Sequence, residues 1–385
     1  MKIIHICISS PFSEIYAYQE NLLAHYQKVM GHDVTIIAPI FSSVAMDKTE
    51  PVGERVLDDG TKLVRLAPMF KSKAISEHLQ LVRGLKSAVL AEEPDLIFVH
   101  AVSCFNYKCL PSIKKVYPDV KIVFDNHADF INSLRSPITR FLHRVVYRYT
   151  LIPSLIKIAE YFYGVTPSRC SFLSKVYGIP EKKIKLLVMG ADDENMRLEE
   201  KGKIRDEIRT KFGIKDNDFL VVTGGKIDPL KNIHVLAKAI SNIQIDSIKL
   251  LIFGTISEEL KEYFAKIQSD RIMCIGWQPS NEVYRYFYAS DLVVFPGLHS
   301  VLWEQAVASQ VPCAFTKIDG FDHIDIGGNC VLMDGNDENY YKELIESVYS
   351  NKGWYQSLLD HSHSDEAKRF YYSKIAKAVI DDCKG

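Results

Sequence analysis

The sequence predicts an α/β protein built from two tandem, doubly wound parallel-sheet domains. Three observations predict this. The chain has 385 residues, more than one ordinary core organises. Short apolar runs alternate with helical patterns along its length, as in a parallel sheet covered on both faces. The alternation also occurs as two series, one from the N-terminus and one starting near residue 218.

In the first series Ile3–Ser9 reads as a strand, Glu20–Met30 as a helix stopped by Gly31-His32, and Val34–Pro39 as the next strand. Further strand-like runs are Leu63–Ala67, Leu96–His100, Ile122–Asp125, Tyr161–Thr166 and Ile184–Val188. In the second series the strands are Phe219–Thr223, Lys249–Phe253, Ile272–Ile275, Leu292–Phe295, Pro312–Phe315 and Cys330–Met333. Helical patterns separate them at Ile233–Ile240, Ser257–Ile267, Asn281–Ala289 and Trp303–Ser309. The polar stretch Asp192–Asp218 reads as a linker whose inner part, Glu199–Lys211, is helical. From Asp365 onward Phe370, Ile375, Ala376, Val379 and Ile380 form an amphipathic helical pattern. The expected division is 1–195, 196–365 and a terminal helix 366–385 that packs back toward the first domain. Open α/β sheets bind ligands at the carboxyl ends of their strands, so two such sheets facing each other make a cleft for two substrates.

Composition narrows the function classes. With 47 Lys+Arg against 48 Asp+Glu, the chain has no global bias toward nucleic acid. None of its eight cysteines forms a C-x-x-C pair, so they read as thiols in a reducing compartment, without disulfide or zinc framework. Met1–Ile8 is too short for a signal peptide, and no apolar run approaches the ~18–20 residues of a membrane span. A cytoplasmic protein is expected.

The stretch Gly224-Gly225-Lys226-Ile227-Asp228-Pro229-Leu230-Lys231-Asn232 is the chemically richest. It reads as strand, glycine turn and helix, with Ile233, Leu236, Ala237 and Ile240 on one helical face. Glycines let backbone N–H groups approach a phosphate, the helix start adds positive dipole, and Lys226 and Lys231 add two charges. A diphosphate is the natural ligand; a solvated βα turn is the plain alternative.

Together the blocks resemble retaining glycosyltransferases of the GT-B fold, especially the large family 4, over nearly the whole chain. Met30-Gly31-His32-Asp33-Val34-Thr35 looks like the motif "GHxVT", and Glu93-Pro94-Asp95-Leu96-Ile97-Phe98-Val99-His100 like "kPDvvhvH". Val165-Thr166-Pro167-Ser168, Tyr177-Gly178-Ile179-Pro180 and Met189-Gly190-Ala191-Asp192 resemble the segment through "NGvD". Gly225-Lys226 and Lys231-Asn232 resemble the donor phosphate clamp "GR…K-G/N", with lysine for arginine at 226. Gly276-Trp277 and Ala289-Ser290-Asp291-Leu292-Val293-Val294-Phe295-Pro296 resemble the next blocks.

The resemblance implies two Rossmann-like domains facing a central cleft, and a nucleotide-diphosphate sugar as donor substrate. Gly225, Lys226, Lys231 and Trp277 are then donor-binding. It also implies two glutamates spaced E-x7-E, the second opening "EAxAxGxP". Anchored on Pro312, the second glutamate falls on Gln305, beside Glu304, and the first on Gly297. Gln305 retains a carbonyl oxygen that accepts from a ribose hydroxyl. His299, Ser300 and backbone amides are the substitutes for the missing first acid. A histidine-bearing loop beside the transferred sugar is also implied, which points to His127 in Asp125-Asn126-His127-Ala128-Asp129. Asp129, and Ser10 in the first loop, are placed on the acceptor side. Retention of configuration comes from the resemblance alone.

Departure of a nucleoside diphosphate builds negative charge on the phosphates, so catalysis needs fixed positive charge there. Lys226 and Lys231 supply it, with His127 as the third catalytic candidate, and no metal is expected. Asp216-Asn217-Asp218 reads as a polar turn. From Phe130 to Ala159 no acidic residue occurs, while Arg140, Arg144 and Arg148 share one helix face beside Phe141, Leu142, Val145, Val146 and Tyr149. A basic amphipathic helix over 138–152 suits either an anionic membrane surface, at the inner face of the membrane, or a domain edge.

The reading is a glycosyltransferase acting on a glycan or lipid-linked acceptor, in cell-surface polysaccharide or glycolipid assembly. A sugar-nucleotide epimerase on the same fold needs carboxylates the sequence does not place. A noncatalytic binding or partner subunit is motivated by Gly297 and Gln305. No G-x-G-x-x-G follows either leading strand, against a NAD-dependent dehydrogenase.

Overall fold

The computed structural model describes residues 1–9, 12–14, 18–40, 51–72, 75–76 and 79–384. It divides into two compact units, Met1–Met189 with Tyr372–Gly385, and Gly190–Tyr371. The sequence reading had placed these junctions at 195/196 and 365/366.

Among the described residues the first unit holds an eight-stranded sheet. Its strands are β1 (Lys2–Ile6), β2 (Asp33–Pro39), β3 (Gly53–Val56), β4 (Lys62–Leu66), β5 (Leu96–Val99), β6 (Lys121–Asn126), β7 (Tyr161–Gly164) and β8 (Ile184–Leu186). The order is β3-β4-β2-β1-β5-β6-β7-β8, and every pair is parallel except β3–β4. The central strands are apolar on both faces because both faces are covered: Ile97, Phe98 and Val99 are all fully buried. The terminal helix Tyr372–Cys383 belongs to this unit. Its Ile375, Ala376, Val379 and Ile380 share a core with Leu22, Leu23 and Tyr26 of the helix Gln19–Val29. Strand β3 escaped the sequence reading because all four of its residues are exposed at a sheet edge, so it carries no apolar alternation.

The second unit holds a six-stranded, all-parallel sheet in the order β11-β10-β9-β12-β13-β14. The strands are β9 (Phe219–Ile227), β10 (Ile248–Ile256), β11 (Ile272–Cys274), β12 (Leu292–Phe295), β13 (Cys313–Thr316) and β14 (Cys330–Met333). One expectation is corrected here. Gly224 and Gly225 do not form the turn; β9 runs through them and pairs with β10 as far as Ile227↔Ile256. The glycines serve close strand approach instead, since a Cβ on Gly254 would lie 1.8 Å from the Gly225 carbonyl oxygen. The turn falls later, at residues 228–232.

The linker reading is corrected too. The helix Lys201–Lys211 buries Ile204, Ile208 and Arg209 in the second unit. Its Arg205 and Arg209 pair with Asp291 at 2.7 and 3.2 Å and donate to the Ala289 carbonyl at 2.9 and 3.1 Å. All eight cysteines are free.

Candidate functional site

The lysine turn begins where β9 ends. Asp228 accepts from the Leu230 N–H at 3.1 Å, and Pro229 supplies the fixed φ of the short 3-10 turn Pro229–Lys231. Asn232 then takes a left-handed conformation, φ 52°, which asparagine tolerates, and the helix Ile233–Ser241 follows. Ile233, Leu236, Ala237 and Ile240 anchor that helix in the core.

Lys231 points at the loop after β12. Its ammonium donates to the carbonyls of Leu298 and, at 3.3 Å, of His299. In the same contact the Leu298 N–H donates to the Leu230 carbonyl at 3.3 Å. Gly297 packs backbone on backbone: a Cβ there would lie 2.4 Å from the Lys231 Cα and 2.5 Å from the Leu230 oxygen. No side chain fits at the first glutamate position without displacing the lysine turn. Burial lowers the Lys231 pKa to about 8; Asp228 opposes the shift and Lys226 adds to it. Lys226 stands 76% exposed, 3.4 Å from an Asp228 carboxylate oxygen. Gly225, φ 108°, faces Leu302.

Glu304 and His299, near the lysine turn, both carry buried side chains. Glu304, on the helix Leu302–Ala308, is fully buried and faces inward. One of its oxygens lies 2.8 Å from His299 Nε2 and 2.9 Å from His323 Nε2. Burial alone would raise the carboxyl pKa, but the two imidazoles outweigh it and hold it at about 2. The His299 ring is likewise buried, against Trp303 and Phe321, so only its backbone reaches Lys231. Gln305 is also buried. Gln310 has φ 55°, a left-handed residue where the motif "EAxAxGxP" carries glycine, in keeping with the register that puts Gln305 at the second glutamate position. Ser300 is half-buried, its carbonyl accepting from the Trp303 N–H at 3.0 Å, and Trp277 is 60% exposed beyond Gly276. Asp218 accepts from the Lys215 N–H at 2.8 Å, the behaviour of a turn residue.

In the first unit His127 follows β6, with Nε2 3.5 Å from an Asp125 carboxylate oxygen, an ion-pair distance rather than a hydrogen bond. Asp125 is fully buried and ends a chain of buried polar groups that the sequence reading missed. His100 Nδ1 lies 2.9 Å from it, His100 Nε2 lies 3.0 Å from His5 Nδ1, and His5 Nε2 lies 2.8 Å from Gln27 Oε1. The Ala101 N–H and the Gln19 amide also donate to Asp125, at 2.7 and 3.2 Å. Burial lowers the His5 pKa to about 3, with a further contribution from His100. Burial also opposes charge on His100, yet Asp125 overrides it and the pKa is raised; Asp125 itself is held far below the carboxylate range despite burial, by His100 and His127. The signal available in sequence was a polar residue at a buried position on each of three neighbouring strands.

Asp129, expected on the acceptor side, follows in the same loop. It is buried, and one of its oxygens accepts from the Ile131 and Asn132 N–H groups at 2.9 and 2.7 Å while the other lies 3.4 Å from Arg169. It caps its own loop. Ser10 lies outside the described residues.

Residues 137–150 form one helical stretch with a π segment at Leu142–Tyr147. Ile138, Phe141, Val145 and Tyr149 are exposed on it, with Phe130 and Ile131 just before. Arg140 and Arg148 donate to backbone carbonyls of Leu134, Lys175 and Val176. Among the described residues no helix is long and apolar enough to cross a membrane.

Comparison with known proteins places these features. The family described as Glycosyltransferase Family 4 matches residues 18–195, and Glycosyl transferases group 1 matches residues 204–369. An uncharacterised glycosyltransferase of Methanocaldococcus jannaschii is 21% identical over 222 residues, 54% of this chain and 55% of that protein. The chain thus spans about half the length of this curated relative. A glycosyltransferase from Rickettsia africae has the same fold, with TM-score 0.71 and 14% identity, covering 100% of this chain and 97% of that one. The Anabaena protein HepE in complex with UDP gives TM-score 0.69 and 13% identity, covering 99% of both chains. Two family matches in tandem, two parallel α/β sheets and these neighbours lead to one assignment: the chain belongs to the family-4-like glycosyltransferases of the GT-B fold.

Proposed function

We propose that this chain transfers a sugar, with retention, from a nucleoside-diphosphate donor to a glycan or lipid-linked acceptor in cell-surface polysaccharide or glycolipid assembly. The observation that carries the reading is Lys231: a partly buried ammonium, fixed by two carbonyls, at the junction of a glycine-bearing strand and a helix start. An ammonium has three donors, and two are used by Leu298 and His299. The third, with Lys226 and the first turn of the helix Ile233–Ser241, takes the diphosphate and stabilises the charge that builds as it leaves. Added Mg²⁺ is then unnecessary at the phosphates. Gly225 gives the phosphates close approach, and Trp277, Ser300 and Gln305 serve the rest of the nucleotide sugar. His127, oriented by Asp125, donates to a hydroxyl of the transferred sugar or its acceptor. The UDP complex of the neighbour HepE supports a nucleotide donor.

The acceptor reading draws on the segment 130–149, where exposed Ile138, Phe141, Val145 and Tyr149 lie beside arginines with no acidic residue between Phe130 and Ala159. Such a face suits an anionic membrane carrying a lipid-linked acceptor. Flotation with anionic vesicles at low salt tests this; protein left wholly at the bottom of the gradient removes the membrane.

Transfer from labelled UDP- and GDP-sugars, with product anomers read by NMR, tests the reaction. His127→Ala should lose transfer and keep nucleoside-diphosphate binding. The second reading, a noncatalytic binding subunit, is favoured by Gly297, where no acid fits, and by the inward-facing Glu304. Diphosphate binding with neither transfer nor donor hydrolysis would establish it.

A further inference from the structure

We propose that His299, Glu304 and His323 form a binding site for a zinc-class divalent cation. The three residues come from separate elements: the loop after β12, the helix Leu302–Ala308, and the 3-10 turn Asp322–Ile324 after β13. Their side chains are all buried, and their ligand atoms lie within 4.8 Å of one another. Among the described residues this is the one such group.

The arrangement without a cation is poorly satisfied. Both imidazoles converge on a single oxygen of Glu304, at 2.8 and 2.9 Å. The other oxygen, Oε2, is buried and has no hydrogen-bond partner. A buried acceptor left without a hydrogen bond is costly, and more so when it is charged. A cation about 2.0–2.2 Å from each donor would use both imidazole Nε2 lone pairs and both carboxylate oxygens. The ligand atoms need move only slightly outward to admit it.

The donor set selects the ion class. Two imidazole nitrogens and a carboxylate suit zinc or its cobalt substitute; magnesium and calcium prefer oxygen alone. Affinity is set by what lies behind the ligands. The Nδ1 of His323 meets no acceptor among the described residues, so its ring is not braced as in a tight site. A missing brace of this kind lowers metal affinity by about 10–100-fold. The site sits next to the lysine turn without forming part of it. By holding the His299 side chain, the cation would stiffen the loop whose carbonyls hold Lys231.

The test uses the full chain, stripped with chelator and then titrated with Zn²⁺ against a chromophoric chelator. About one equivalent should bind, and Co²⁺ should give the visible bands of a low-coordinate nitrogen–oxygen site. His323→Gln and Glu304→Gln should each weaken binding at least about tenfold. If either variant fails to fold, X-ray absorption on the zinc-loaded native chain gives the same information, as two imidazole shells. No stoichiometric binding, binding unchanged in the folded variants, or a spectrum without imidazole overturns the site and leaves a carboxylate hydrogen-bonded to two imidazoles. None of these readouts depends on transferase activity.

Discussion

Gly297 and Lys231 touch backbone to backbone: a Cβ on Gly297 would stand 2.4 Å from the Lys231 Cα. The position where the motif calls for its first acid is therefore where this chain closes the β12 loop onto its lysine turn. Loss of that side chain and fixation of Lys231 by the Leu298 and His299 carbonyls are one structural arrangement.

Gly297→Ala should accordingly cost about 1–3 kcal/mol, the range of overpacking, because the obstructing atoms are backbone. Thermal unfolding measures this. A change below about 0.5 kcal/mol, the level of an ordinary surface substitution, would mean the two segments are not in contact.

Lys231 predicts a pH dependence of nucleoside-diphosphate binding. Its pKa, lowered to about 8 by burial, leaves the ammonium charged below that value and neutral above it. The anionic diphosphate needs the charged form, so affinity should be nearly constant from pH 6.5 to pH 8 and fall up to about tenfold per unit above it. Calorimetric titration with UDP and GDP from pH 6.5 to 9.5 checks the profile. Lys231→Met should abolish the pH-dependent part, whereas Lys226→Met, at an exposed side chain, should weaken binding without altering the profile.

Asp125→Asn leaves the buried His100 without its counter-charge, and the expected loss is about 3–5 kcal/mol. The sign of the pH effect follows from direction. The His100 pKa is raised in the fold, so its contribution is fully present below about 6.5 and lost as pH rises through the folded value. Urea unfolding at pH 6 and pH 8.5 should show that contribution in the native chain. It should be missing from Asp125→Asn; an unchanged pH difference would argue against the pair.

Gln310 holds a left-handed conformation, φ 55°, that costs a non-glycine residue about 1–2 kcal/mol. Gln310→Gly should therefore stabilise by about 0.5–1 kcal/mol after glycine's entropy is subtracted. The midpoint of unfolding should rise; a fall would show that the glutamine side chain contributes packing the backbone argument omits.

Most of the fold was legible because a parallel sheet buried on both faces needs continuous apolar strands, and runs such as Leu96–Val99 and Leu292–Phe295 can hardly be anything else. Strand β3 was not legible, being exposed throughout. The lysine turn was legible as a charged junction of strand and helix, but not the position of its bend. Glycines break strands in general, and here β9 and β10 needed them to approach each other.

Residue types and spacing indicated two α/β domains, the resemblance of the motifs pointed to the family, and the charge pattern singled out Lys231 as a candidate. Only the tertiary structure decided which way side chains face. Glu304 and Gln305 are adjacent on one helix, and a rotation of about 100° separates a carboxylate turned toward two histidines from its neighbour. His5, His100 and Asp125 lie far apart in the chain and meet only because β1, β5 and β6 are neighbours in the sheet. Pairing between distant segments is set by the packing of the whole core, and no local pattern encodes it.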